Sequence, residues 1–375
     1  MAGIYIHIPF CRKNCSYCDF YFSLNKKHEP AFFNALRTEL ALRKFEMQNE
    51  AVHTVYLGGG TPSYASIQEV ERVLNWIYSE LPVVPEPEVT LEANPDDLTR
   101  EKLSEWKKSG INRLSVGVQS FSDKYLKLLN RSHNARQVHK GLENARKAGF
   151  ENITVDLIYG IPGMTYDEWE AQINRFLSLS LPHLSAYALT VEKGTLLHRQ
   201  VEKNIIRMPD DEQYENMFFM LVDALKKHNY EHYEISNWAL AGRKSRHNRS
   251  YWSGEKYFGF GPSAHSYDGK RTRRWNVANL HKYIRGIREG NTWYETERLS
   301  DKDLFNELIM TRLRTSKGIP DGRLKTEFAE FYPAFIKTAE LLMAERKLKF
   351  ENGYWKVPES ARFITDGIIE TFFVV

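Results

Sequence analysis

The chain has 375 residues, with 52 Lys and Arg against 48 Asp and Glu, for a net charge of +4. A hydrophobic fraction of 42% and a charged fraction of 27% exclude a disordered chain, and +4 is too small to make the molecule a nucleic-acid binder by overall charge. The three cysteines, Cys11, Cys15 and Cys18, all fall within eight residues. An odd, clustered set is not a disulfide framework and reads as a metal or cluster site in a reducing compartment.

No apolar run approaches the ~20 residues of a membrane-spanning helix. The start, Gly3-Ile4-Tyr5-Ile6-His7-Ile8, reads as a strand rather than a leader, so the expected location is the cytoplasm. Strands are expected at Ile4–Ile8, Thr54–Leu57, Val89–Glu92, Leu114–Val118, Ile153–Ile158 and Leu184–Leu189. Helical patterns lie between and after them, at 30–45, 67–81, 100–108, 123–129, 135–148, 167–179 and 210–228. Six β-then-α units predict an α/β fold with a parallel sheet and right-handed crossovers. Nearly every unusual residue falls at a strand's carboxyl end, where parallel α/β folds place their sites. This favours a partial (βα)6 barrel over an open sheet, with a first domain over residues 1–235.

The pattern changes after about residue 235. Residues 236–290 are rich in Gly, Ser, Asn, aromatics and Arg and show no strong period, so 236–299 reads as a basic, aromatic connecting region. From 300 to 375 helices are expected at 301–314, 320–330 and 333–346. A hairpin follows over Leu348–Val357, with Asn352-Gly353 as its turn, and a last amphipathic helix over 362–373. Three short helices and a hairpin make a winged-helix-like module, the end of a C-terminal α/β extension.

The spacing Cys11-x3-Cys15-x2-Cys18 suits either of two metals. Three thiolates can hold a [4Fe–4S] cluster with one iron left open to a small molecule, and thiolates also suit zinc, with His7 or Asp19 as a fourth ligand. The stretch Tyr5-Ile6-His7-Ile8-Pro9-Phe10-Cys11 through Cys18, with Gly58-Gly59-Gly60-Thr61-Pro62 about forty residues later, resembles the signature of radical S-adenosylmethionine (SAM) proteins. Within them it resembles the branch that contains the oxygen-independent coproporphyrinogen III oxidases and the HemW haem chaperones, and the likeness runs over nearly the whole chain. The resemblance implies a radical SAM barrel with a [4Fe–4S] cluster on the three cysteines and SAM beside it. It places Tyr5 near the cluster, and Gly59, Gly60 and Thr61 where bare backbone approaches the methionine amino group. Glu92, Gln119, Arg131 and Asp156 match contacts to ribose, amino acid and carboxylate. From the residues alone, Gly58–Gly60 is also a tight turn and Arg131 a solvated charge, whereas a carboxylate such as Asp156 in an apolar run needs a partner or a job.

The oxidases of this branch carry a fourth cysteine two residues after the third, where this chain has Phe20, and they usually begin with a longer extension before the residue matching Tyr5. Both departures count against oxidative decarboxylation and towards the haem chaperones, with the oxidase or another radical SAM porphyrin enzyme as the alternative. His247-Asn248-Arg249-Ser250-Tyr251-Trp252 fits an HNxxYW motif associated with haem binding, so the resemblance implies haem as a further ligand at His247; read alone, such a histidine is more often a hydrogen-bonding residue than a ligand. Residues 241–285 hold eleven Lys or Arg and two acids, a net +9 that leaves −5 for the rest, and Arg forks in such a segment suit haem propionates. A solvated loop or an anionic partner surface fits the same count. The expected partners are haem and an acceptor haemoprotein, with no nucleic acid and no integral membrane segment. Transient contact with a membrane surface and the oligomeric state stay open.

Overall fold

The structure is a computed structural model and describes residues 2–47 and 49–374. Six parallel strands run side by side in sequence order: β1 (Ala2–Ile8), β2 (Val52–Gly59), β3 (Val83–Ala93), β4 (Arg113–Gln119), β5 (Asn152–Tyr159) and β6 (His183–Ala188). Helices connect them, as parallel neighbours require. This is the six-unit parallel arrangement expected from the alternation of elements.

Each strand carries two different faces, because successive side chains point to opposite sides of a sheet. One set is apolar and buried: Ile4, Ile6 and Ile8, then Val55 and Leu57, Leu114 and Val116, Val155 and Leu157. It belongs to one hydrophobic core with helix residues such as Leu36, Leu40, Leu74 and Ile77. The alternate set is polar or aromatic, as in Tyr56 of β2, Glu92 of β3, Arg113 and Ser115 of β4, Asp156 of β5 and Tyr187 of β6, and it lines a single internal cavity. Backbone register aligns the strands so that Glu92 pairs with Ser115, and Gly117 with Asp156, which pairs in turn with Ser185.

The region after residue 235 extends this sheet at both edges. Strand β8 (Asn237–Ala239) adds antiparallel to β6, and β7 (Glu231–Glu234), just ahead of that region, pairs antiparallel with β8 at the outer edge. At the other edge β9 (Lys256–Phe260) adds parallel to β1, followed by β10 (His265–Tyr267), β11 (Thr272–Asn276) and β12 (Tyr294–Arg298), which gives twelve strands. These strands are three to five residues long, too short to carry a period in the sequence. Between β8 and β9 the helix Arg246–Ser253 is capped by the Ser245 side chain, and its backbone at Arg246 and His247 donates to the buried carboxylate of Glu88 at 3.0 Å each.

A buried charge network holds β9–β11 to the rest of the barrel. Glu39 on the helix Glu29–Leu42 is fully buried and accepts from Arg43 (3.1 Å), Asn276 (2.8 Å), the Gly261 amide (2.9 Å) and Tyr283 (2.7 Å). Arg43 in turn donates to the Gly259 carbonyl at 2.7 Å.

Residues 301–374 form a second core around Phe305, Leu313, Phe335 and Trp355. Its helices are Asp301–Leu313, Asp321–Glu327 and Tyr332–Ala344, with a small sheet of β13 (Ile319–Pro320), β14 (Lys349–Glu351) and β15 (Tyr354–Lys356). Asn352 and Gly353 both have positive φ, as a tight two-residue hairpin turn needs. The last segment is a 3-10 turn, Glu359–Ile364, and a short helix, Thr365–Glu370, in place of one continuous helix. This unit docks on the edge at β7 through backbone bonds from Ile235 to the Arg314 carbonyl and from Ser316 to the Tyr233 carbonyl. Among the described residues no helix is long and apolar enough to cross a membrane.

Candidate functional site

The cysteine loop leaves β1 at its carboxyl end and is pinned by backbone bonds. Cys11 N donates to the Ser23 carbonyl, Ser23 N to Pro9, Ser16 N to Leu129 and Leu197 N to Ser16. The loop therefore hangs over the barrel mouth with three free, partly accessible thiols. Thr61 Oγ1 lies 3.5 Å from Cys11 Sγ, and Arg131 Nη1 lies 3.2 Å from Cys15 Sγ. Burial pushes the Cys11 thiol up to about 11 and raises Cys18 as well, so holding these sulfurs as thiolates takes nearby positive charge. His7 is committed elsewhere: its ring nitrogens meet Tyr5 Oη at 3.2 Å and the Tyr21 carbonyl at 3.0 Å.

Beneath the loop lies a cavity of about 540 Å³. Its wall includes Cys11, Cys15, Cys18, Tyr5, Gly59, Gly60, Thr61, Glu92, Gln119, Arg131, Asp156 and His247, so these residues, far apart in the sequence, come to one place, while His7 and Trp252 stay off the wall. The glycines are needed by the chain's own packing. A Cβ on Gly59, at φ +108, would lie 2.7 Å from the His7 ring, and one on Gly60 would lie 2.7 Å from the Pro9 backbone. Bare backbone at this turn lets the Gly59 amide reach Glu92 at 3.1 Å.

Two of the carboxyls that line the cavity, Glu92 and Asp156, are shifted by burial. Glu92 also accepts from Tyr56 Oη at 2.8 Å, and burial raises it to about 7. Asp156, with Ser115 Oγ at 3.4 Å, is raised by burial to about 6. Both are poised near neutrality, where a hydroxyl or cationic ligand group shifts their charge state. Arg131 donates to Asn94 Oδ1 (2.6 Å) and the Gly117 carbonyl (2.8 Å) as well as facing Cys15. Gln119 sits next to it at φ 65, a left-handed conformation held where the strand turns over the cavity.

Set beside known proteins, residues 5–175 match the radical SAM superfamily and residues 299–364 the HemN C-terminal domain. The heme chaperone HemW of Bacillus subtilis is 39% identical over 336 residues, covering 88% of this chain and 87% of that protein. HemW of Lactococcus lactis is 37% identical, covering 88% and 86%, and that of Mycobacterium tuberculosis H37Rv is 32% identical, covering 98% and 94%. The chain belongs to the HemW family. Coproporphyrinogen III oxidase (HemN) from Escherichia coli shares the radical SAM fold with this HemW-family chain, at a TM-score of 0.85 and 22% identity over 99% of this chain and 89% of that structure.

His247 of this HemW-family protein lies on the cavity floor, almost fully buried. Its Nδ1 meets Thr54 Oγ1 at 2.7 Å, its Nε2 meets Tyr251 Oη at 2.9 Å, and its ring stacks on Tyr56 with centroids 5.0 Å apart. Burial lowers it to about 3, so the ring is neutral. Both nitrogens are engaged, and an axial bond to haem iron would trade one of these hydrogen bonds away.

The basic segment finds its counter-ions within the chain. Arg243 pairs with Glu151 (3.6 Å), Lys256 with Glu50 (2.9 Å), Arg273 with Glu307 (2.8 Å) and Arg274 with Glu46 (3.3 Å). Lys244 pairs with Glu231, and Arg271 with Asp301. Six of the eleven cations thus pair with acids from outside the segment, so the local charge count does not by itself mark a ligand site. At the cavity mouth stands Phe20, 67% exposed, with Phe22 and Tyr187 also on the wall.

Wall residues that escaped the sequence reading include Tyr56, Arg113, Ser115, Ser185 and Tyr187 on the strands. Their signal is a polar or aromatic residue at every second position of otherwise apolar strands, which marks the inner face of a barrel.

Proposed function

We propose that this protein is a haem chaperone that carries a [4Fe–4S] cluster and SAM, binds haem and delivers it to an acceptor haemoprotein. The observation that carries the reading is the convergence of three thiols, a guanidinium and two burial-raised carboxyls on one cavity, in a chain whose relatives are named heme chaperones. The donor set fits the groups. Cys11, Cys15 and Cys18 would hold the cluster, and Arg131 and Thr61 beside two of the sulfurs would favour their thiolate forms. When bound, a three-thiolate cluster supplies an iron with one position open to a small molecule.

Arg131 suits a carboxylate, Glu92 and Asp156 suit ribose hydroxyls and a cationic group, and the Gly59–Thr61 turn presents backbone to the ligand. Tyr5 Oη, held to His7, fixes the rim between turn and cluster loop. Phe20 stands where the oxidases of the branch have a fourth cysteine. Exposed beside Phe22 and Tyr187, it offers an aromatic rim to a flat macrocycle instead of another thiolate. His247 does not fit a free axial ligand as it stands, and no step is assigned to it.

The test is anaerobic reconstitution followed by haem titration on the Soret band, then mixing with an apo-haemoprotein to follow the acceptor's own spectrum. Haem binding and transfer without decarboxylation of coproporphyrinogen III, in the presence of SAM and reductant, is the expected result. Decarboxylated product would overturn it.

A further inference from the structure

We propose that Arg113 is a receptor for a carboxylate of the bound ligand, on the cavity floor and separate from Arg131. Arg113 is the first residue of β4, so its backbone lies at the amino end of the barrel while its side chain reaches inward to the cavity wall. It is 1% exposed. Its one hydrogen-bond partner among the described residues is Thr154 Oγ1, its Nε has none, and it forms no ion pair there. A guanidinium stays charged and offers five donors in a fixed fork, so a buried one with a single neutral partner leaves most of its donors idle.

Two other arginines of the sheet region, the buried Arg43 and the half-buried Arg131, show the contrast, whereas Arg362 in the C-terminal unit is buried with only the Arg314 carbonyl as partner among the described residues. Arg43 is matched by Glu39 and Glu46, and Arg131 already serves Cys15, Asn94 and Gly117. Around Arg113 the histidines are neutral and already hydrogen-bonded, His183 to Thr154 and Tyr233, and His247 to Thr54 and Tyr251. Asp156 and Glu92 lie beyond ion-pair distance; burial lifts both carboxyls, and the Arg113 charge lowers Asp156 without closing a direct pair. Among the described residues no carboxylate pairs directly with the fork, so a planar carboxylate of a bound ligand matches its open donors.

The inference rests on the proposed function for its two sources of that group: a haem propionate or the carboxylate of SAM. The experiment uses the full chain with its cluster reconstituted, as wild type and Arg113→Gln. It measures affinities for haem, haem dimethyl ester and SAM, together with Tm. Loss of a charge-assisted bidentate pair predicts roughly 10- to 100-fold weaker binding of one ligand. If haem weakens while the dimethyl ester, already weaker on wild type, is unchanged by the substitution, the propionate is the source. If SAM weakens instead, its carboxylate is the source. Tm stays level or rises, because an uncompensated buried charge has gone.

Haem and SAM affinities both within twofold of wild type overturn the proposal. Should Arg113→Gln also lower Tm, Arg113→Lys decides, since it keeps the charge and loses the fork. Intermediate affinity at wild-type Tm supports the receptor, and wild-type affinity overturns it. If wild type binds no haem at all, the chaperone reading fails while the SAM measurement still decides the role of Arg113.

Discussion

Replacing Glu92 by Gln removes a charge that the cavity disfavours while keeping the side chain's shape. Glu92 accepts from Tyr56 and from the Gly59 amide, yet burial still lifts its carboxyl from an ordinary 4.5 to about 7. Between these values the folded protein holds a proton that the unfolded chain has released, so stability falls as pH rises from about 4.5 to about 7 and the penalty is complete above that. A displacement of this size corresponds to roughly 3 kcal/mol. Water in the cavity screens part of it, which leaves about 2 kcal/mol to be observed. Gln mimics the protonated form and does not titrate. E92Q should therefore match wild type near pH 5 and exceed it by about 2 kcal/mol at pH 8, roughly 2–4 °C in Tm for a unit of about 300 residues. Thermal unfolding of identical preparations across pH 5–8, without SAM, reads the difference directly. Parallel curves for the two proteins, or a lower Tm for E92Q at pH 8, would refute the argument that the cavity destabilises the Glu92 carboxylate. SAM affinity should fall in E92Q if the carboxylate faces the ligand.

Three further expectations can be measured. Glu39→Ala strands Arg43 and three neutral donors in the core and should cost about 3–5 kcal/mol in denaturant unfolding; a cost below about 1 kcal/mol would mean the network is not holding β9–β11. Gly60→Ala forces a Cβ against the Pro9 backbone and should cost about 1–3 kcal/mol, with lower iron retention after reconstitution, whereas normal iron content and Tm would show that the turn relaxes freely. His247→Ala removes two hydrogen bonds and a stacked ring, so Tm should fall by the equivalent of about 2–3 kcal/mol while the Soret band of added haem is retained; loss of the band at unchanged Tm would instead make His247 an iron ligand.

Much of this protein follows from local sequence. Alternating βα units are enough for a parallel sheet, because parallel neighbours need crossovers. A Cys-x3-Cys-x2-Cys run after the first strand and a glycine turn after the second are local features that keep their meaning wherever the chain goes. Asn352-Gly353 marks its hairpin for the same reason, since two adjacent residues at positive φ need little else.

Only the tertiary structure decided how distant residues meet. The short strands β8–β12 form because β1 and β6 leave open edges to pair, a condition no window of three to five residues contains. The +9 segment reads as a ligand surface in one dimension and becomes a set of ion pairs with Glu46, Glu50, Glu151 and Glu307 once folded, since charge is compensated through space. His247 stands out as a motif residue and is buried with both nitrogens engaged, because Thr54 arrives from β2 while Tyr251 follows one turn later in the same helix. Arg113 passes unnoticed in sequence, as one basic residue before an apolar run. The pairing of β4 between β3 and β5 puts it on the cavity face of the sheet and makes it a buried charge with one neutral partner.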